Sequence, residues 1–342
     1  MQITKYKWVV LLSGSYDVIV IGAGIAGLTA SIYTSRLGLN TLVISRDLGG
    51  QAILAPEIQN FPGFLSIRGL DLIKRIEEQA RAFGAHIVFD EVVNVKRENS
   101  SFKVETLSGA SHNALALILA LGKAPKELNV PGENKFKGRG VSYCSICDAP
   151  LFKDKVVALA GVGESGLHAA SILSNVVRKC YWIFPGTKPG LIEPEVLDSL
   201  RNKGNVELLS RSRIIEIKGD VRVRSVVIKD LSSGQLRELK VDGVFVEMGH
   251  APKTDPVRGL VKLNERGEVI VNELCETSCP GVFAAGDITS MPYKQAVISA
   301  GQGAIAALSA YNYIAKVKGY RGVIKDWKHI PIRREEGLFL GI

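Results

Sequence analysis

Two stretches of this chain constrain its fold more than anything else in it. The first, "YDVIVIGAGIAGLTASIYTSRLG", is an apolar strand (Val18 to Ile21), a Gly22-x-Gly24-x-x-Gly27 turn and a helix with Ala and Leu on one face. The second, "DKVVALAGVGESGLHAASILS", repeats the pattern with a strand over Val156 to Ala160 and glycines at 161, 163 and 166. Each is followed by a further strand, "NTLVIS" (40–45) and "CYWIF" (180–184). Both faces of the first strand are apolar, as in a buried parallel strand. Two such units, starting at Gly22 and Gly161, predict an α/β fold with two doubly wound, Rossmann-like nucleotide-binding domains.

The two domains are not simply consecutive. "CPGVFAAGDITSMPYKQAVISAGQGAIAALSAYNYI" reads as a short strand, an acidic turn and a long helix of small residues, too little for a third domain. It is expected to return to the first domain, so that the second is an insert. The predicted parts are 1–124 with 252–317, the insert 125–251, and a tail 318–342, with Gly/Pro-punctuated hinges near 122–132 and 249–255. A length of 342 residues agrees with about two domains.

Composition excludes several classes. Charged residues are 23% and apolar residues 46%, an ordinary globular balance. The net charge of +9 is spread along the chain, with no Lys/Arg tract interleaved with aromatics and no zinc-finger spacing, so no nucleic-acid partner is expected. The charge fits acidic partners, phosphorylated cofactors or an acidic protein surface. No apolar run approaches the roughly 18–20 residues of a membrane span. The opening "MQITKYKWVVLL" has an apolar run of only Trp8 to Leu12, too short for a signal peptide, and reads as an extension into the first strand. Five cysteines are sparse and odd in number, unlike a secreted disulfide scaffold, and a cytoplasmic location follows.

In the first glycine turn, Gly22 permits the tight turn, Gly24 lets the backbone approach a pyrophosphate, and Gly27 lets the helix pack on the strand. The acidic ribose anchor expected at the end of the second strand is missing, because Ser45 stands there. The second turn keeps Gly161, Gly163 and Gly166. It is followed by "IFPGTKPGLIEP", with neither the acid of an NAD site nor the arginines of an NADP site, only Lys188. That points away from tight NADPH binding, to a nucleotide fold whose nicotinamide function is weakened or lost.

"VSYCSICDAPLF" places Cys144 and Cys147 two residues apart, with Asp148 behind them. A zinc site needs two more ligands, and Cys275 and Cys279 have x₃ spacing in the other predicted domain, so no metal is expected. His168 reads as a surface residue. A purely structural disulfide over so short a loop removes little chain entropy. The redox reading is stronger: Cys-x-x-Cys lowers one thiol's pKa, and an adjacent carboxyl can move the accompanying proton. Cys180 and Cys279 read as core residues.

These motifs together resemble the low-molecular-weight thioredoxin reductase family. The resemblance is carried by "GAGIAG", "GGQ" with "QNFPG", "LILALG", "KGRGVSYCSICDA", "GVGESG", "MGHAP" and "PGVFAAGD" followed by "KQA", over residues 16–315. It implies FAD in the outer domain, with its pyrophosphate on Gly22–Gly27. Ala26, Ser45, Gly49, Gly50, Gln51, Asn60, Gly122, Asp287, Lys294, Gln295 and Ala296 complete the implied FAD-binding set. Asp287 would bond the ribityl chain, and the helix beginning at Gln295–Ala296 would face the flavin pyrimidine ring, where its dipole favours the anionic reduced form.

By the same resemblance Cys147 faces the flavin, Cys144 is the interchange thiolate, and Asp148 is the acid–base group. A thioredoxin or glutaredoxin-like protein would receive the electrons, after a rotation of the insert. A homodimer is implied too. Three departures stand out: the basic cluster after "CYWIF" is absent, Leu121 replaces Thr, and the tail extends past the usual end. They leave the donor open between NADPH and ferredoxin or another carrier, and the tail offers Trp327, His329 or Phe339 as a flavin cap. A thioredoxin reductase-like ferredoxin–NADP⁺ reductase is a further alternative, though such enzymes lack the Cys-x-x-Cys.

Overall fold

The structure, a computed structural model, describes residues 13–191 and 194–322. Trp327, His329 and Phe339, the expected flavin caps, lie outside the described residues. The chain divides into two compact units, one formed by residues up to Lys123 and from Pro252 onward, the other by Ala124–Ala251.

The outer unit begins with β1 (Ser13–Ala23), α1 (Ile25–Arg36), β2 (Thr41–Leu48), α2 (Gly69–Ala82), β3 (His86–Phe89), β4 (Val92–Glu98), β5 (Ser101–Thr106) and β6 (Ser111–Leu119). β7 (Lys123–Pro125) leads into the insert. There follow α3 (Glu133–Phe136), β8 (Val141–Ser142), α4 (Ser145–Asp148), β9 (Val156–Gly161), α5 (Gly163–Ser174), β10 (Lys179–Ile183) and α6 (Pro194–Asn202). The insert ends with β11 (Val206–Leu209), β12 (Ser212–Gly219), β13 (Val223–Asp230), β14 (Leu236–Lys240) and β15 (Gly243–Glu247). β16 (His250–Pro252) leads back and pairs with β7, and β17 (Val282–Ala284) and α7 (Ala296–Lys318) finish the described chain.

In the outer unit β3-β2-β1-β6 run parallel, β17 joins β6 in parallel, and β5 and β4 extend the sheet as an antiparallel meander. Alternation along β1 explains the burial of both faces. Val18 and Val20 pack with Leu28 and Ala30 of α1 and Ala306 and Ala310 of α7, while Ile19 and Ile21 face Val257, Val269 and Ile288. The small residues of α7 are therefore a packing surface.

The insert has its own parallel sheet, β11-β10-β9-β15-β8, and an antiparallel sheet β12-β13-β14. Leu159, Trp182 and Phe245 bury against Ala169 and Leu173 of α5; Ala158, Ala160 and Val244 bury against Ile217, Val226 and Leu239. Trp182 is fully buried and its indole N–H donates to the Gly161 carbonyl at 3.0 Å, which satisfies its one polar atom.

One strand boundary corrects the sequence reading. β2 does not stop at Ser45 but runs on to Leu48, because an irregularity in its pairing with β1 carries the ladder from Ile21↔Ile44 to Ala23↔Leu48.

Candidate active site

A cleft of about 670 Å³ opens on the outer unit at the carboxyl ends of its parallel strands. Gly22, Gly24, Ala26, Ser45, Gly49, Gly50, Gln51, Asn60, Gly122, Asp287, Lys294, Gln295 and Ala296 all line it. Gly27 does not: it stands behind the wall, where a Cβ would overlap the Gly22 carbonyl oxygen, so it sets how closely α1 packs on β1. Gly22 itself has φ +110, which a side chain would strain. Two further expected residues meet directly, since the Asn60 amide donates to Gln295 Oε1 at 3.0 Å.

Two helices begin at this cleft. Gly24 is the N-cap of α1 and Gln295 that of the 23-residue α7; neither start has a side-chain cap or an acidic residue in its first turn. Their unpaired N–H groups and dipoles give the cleft positive potential at two points.

Two charges that line the cleft, Asp47 and Lys123, were not legible in the sequence. Asp47 lines the cleft two residues beyond Ser45, so the carboxylate expected at the end of β2 exists after all, displaced by the longer strand. Lys123 and Lys294 line it as well, and both pair with Glu268, whose side chain is only 3% exposed. Lys123 Nζ lies 3.0 Å and Lys294 Nζ 3.5 Å from Glu268 Oε1, while Asn264 and Arg266 donate to Oε2 at 2.8 and 3.2 Å. Burial works against this carboxylate, but the hydrogen bonds from Asn264 and Lys123 and the two lysine charges outweigh it and hold the carboxyl down at about 2.

In the insert, Cys144 and Cys147 form a disulfide with Cα atoms 5.4 Å apart, across the start of α4. Cys147 is exposed and Cys144 half-buried. The Cys147 N–H donates to Cys144 Sγ at 3.2 Å, a bond that would stabilise a thiolate on Cys144 once the bridge opens. The Asp148 N–H donates to the Cys144 carbonyl at 3.1 Å, fixing the carboxyl-bearing residue at the other end of the same turn.

Two glutamates brace this turn. Glu133, 1% exposed, accepts from the Leu128 and Asn129 N–H groups and from the Tyr143 hydroxyl at 2.8 Å. Burial, with Glu133 beside it, raises the Tyr143 phenol above its usual value, so Tyr143 stays a neutral donor next to Cys144. Glu247 accepts from the Ser145 N–H at 3.0 Å and from the Ser165 hydroxyl at 2.9 Å. The other cysteines are buried; burial pushes Cys180 up to about 12 and Cys275 to about 11, which leaves them as inert thiols. His168 is exposed, and among the described residues no His/Cys/Asp/Glu cluster could hold a metal ion. No described helix is long and apolar enough to cross a membrane.

Residues 16–303 match the pyridine nucleotide-disulphide oxidoreductase family. A thioredoxin reductase of Aquifex aeolicus is 38% identical over 315 residues, 91% of this chain and 96% of that protein. This chain belongs to the thioredoxin reductase family of pyridine nucleotide-disulphide oxidoreductases. Among solved structures, the Lactococcus lactis thioredoxin reductase superposes with a TM-score of 0.72 at 30% identity, covering 88% of this chain and 99% of that one. A ferredoxin-flavin thioredoxin reductase from Clostridium acetobutylicum gives a TM-score of 0.51 at 30% identity, over 89% and 99%.

The family implies bound FAD, and the cleft fits it. A glycine backbone at the start of α1 suits a pyrophosphate, the uncapped start of α7 suits a group that gains negative charge, and the volume is that of a cofactor pocket.

Proposed function

We propose that this protein is an FAD-dependent thioredoxin reductase-type oxidoreductase that delivers electrons through Cys144 and Cys147 to a disulfide in a thioredoxin or glutaredoxin-like protein. The observation that carries the reading is the Cys144–Cys147 bridge, exposed on one sulfur and fed by a backbone donor on the other.

The residues holding FAD are those of the cleft, with Gly22–Ala26 at the pyrophosphate, Asp47 at the ribose, Asp287 at the ribityl chain and Gln295–Ala296 at the pyrimidine. Bound FAD supplies a two-electron reservoir. Cys147 is the sulfur that accepts the electrons. Two electrons and two protons open the bridge to a dithiol, and the Cys147 N–H favours the thiolate on Cys144. Asp148 takes the Cys144 proton, and the Cys144 thiolate attacks the partner disulfide, forming a mixed disulfide and expelling a partner thiolate that receives that proton from Asp148. Cys147 then displaces the partner from Cys144, which closes the bridge again and releases the partner dithiol. The protein works as a cytoplasmic homodimer in this reading.

A second reading concerns the donor. The absence of arginine from residues 185–193, the loop after Phe184, favours ferredoxin, giving one electron at a time, over NADPH, and a ferredoxin-flavin thioredoxin reductase is among the solved structures this chain resembles.

The test is direct. Dithionite-reduced protein should reduce a thioredoxin disulfide, and Cys144→Ser or Cys147→Ser should abolish this while the flavin stays bound. Turnover retained in either variant would overturn the assigned roles.

A further inference from the structure

A dinucleotide on a Rossmann-type domain lays its pyrophosphate against the glycine turn and the start of the following helix, and its ribose beside the loop after the second strand. In the insert, that crevice is taken by the chain itself. The loop after β10 folds back onto the glycine turn, and the Pro189 carbonyl accepts the Gly163 N–H at 2.6 Å. A Cβ on Gly190, φ +152, would come within 2.8 Å of the Gly163 Cα, so backbone rests on backbone. The Arg211 N–H holds the base of the same loop through the Gly186 carbonyl at 2.8 Å.

The start of α5 is also filled electrostatically. Glu247, at the end of β15, sets one carboxylate oxygen on the Ser165 hydroxyl in the first turn of α5. Glu164, exposed, adds a second acid to that turn. The contrast lies within the same chain, since α1 starts with no acid in its first turn and Gly24 lines an open cleft. A pyrophosphate at the second turn would find the Gly163 donor spent and two carboxylates waiting, with Lys188 the only cation in the loop.

We infer that the second glycine turn does not hold a nicotinamide dinucleotide: the Pro189 carbonyl and the Glu247 carboxylate close it. Glu247 serves the dithiol instead, since its other oxygen accepts the Ser145 N–H and so ties the residue after Cys144 to α5. This deepens the donor side of the disulfide reductase reading and rests on it.

The experiment uses the full-length, FAD-loaded protein. NADP⁺ and NAD⁺ are titrated by calorimetry; NADPH and NADH are then mixed with the protein anaerobically while the flavin band is followed. A dithionite-reduced sample is offered a thioredoxin disulfide. The expected result is no saturable binding tighter than about 1 mM, the upper end of ordinary half-saturation and roughly 100-fold weaker than a 10 µM site. The flavin band should stay unbleached by either nucleotide over minutes. Saturable binding below that limit, or bleaching by NADPH or NADH, overturns the inference. If neither nucleotide binds and the dithionite-reduced protein also leaves thioredoxin oxidised, the closed turn stands and the reductase reading falls.

Discussion

Glu268→Gln tests the ion cluster beside the flavin cleft. The substitution keeps the shape and removes a buried anion that Lys123 and Lys294 share. Removing one partner of a buried pair costs roughly 3–5 kcal/mol when the other is left dry. Here the lysine side chains are 19% and 23% exposed and regain part of their hydration, and Arg266, 74% exposed, contributes almost nothing. A loss of roughly 2–3 kcal/mol remains, or a drop in Tm of roughly 4–12 °C for a unit of this size.

The pH dependence follows from the same carboxyl, which the cluster lowers from 4.5 to about 2. A depressed carboxyl contributes its full stability above about pH 4.5 and loses it as pH falls towards about 2, while the glutamine has nothing to lose. The gap between wild type and variant should therefore close over that interval. Urea unfolding of the flavin-loaded protein, followed by flavin fluorescence and circular dichroism, measures it. Lys123→Met in the Glu268→Gln background should recover part of the loss, because it removes a stranded cation. A gap independent of pH, or a double variant weaker than the single one by the full cost of Lys123→Met alone, would refute the argument.

Two further outcomes follow from packing and burial. Gly27→Ala should cost about 1–3 kcal/mol or more and lower flavin occupancy, since the new methyl overlaps the Gly22 carbonyl; a fully loaded, equally stable variant would contradict that account. In the native, reduced protein only Cys144 and Cys147 of the five cysteines should label rapidly with a thiol reagent, and none without prior reduction; fast labelling of Cys180 would show that its burial is not kept in solution.

The nucleotide folds were legible because their signal is local: a strand apolar on both faces, three glycines and a helix within about twenty residues. The cysteine pair was legible for the same reason. Asp47 was missed because a pairing irregularity between β1 and β2, invisible in residue types, prolongs the strand by three positions. Lys123 and Glu268 were missed because they are far apart in sequence and neither sits in a motif; only the folded sheet brings them together. Lys188 and the absent arginines hinted that the second turn was poor for NADPH, but its closure depends on a carbonyl, and every residue has one. Glu164 and Glu247 were the side chains that could have signalled it.

The pairing of β17 with β6 has a consequence for how the protein is made. On the ribosome, β6 emerges before the whole insert, and its partner strand only after it. The insert, complete at Ala251, can fold as a unit while the outer sheet still lacks β17 and the cover of α7. Asp287, Lys294 and the start of α7 leave the exit tunnel only after the whole insert. Capture of the cofactor is thus a late event in biogenesis, and a chain stalled before Val282 would carry a finished dithiol unit with no site from which to charge it.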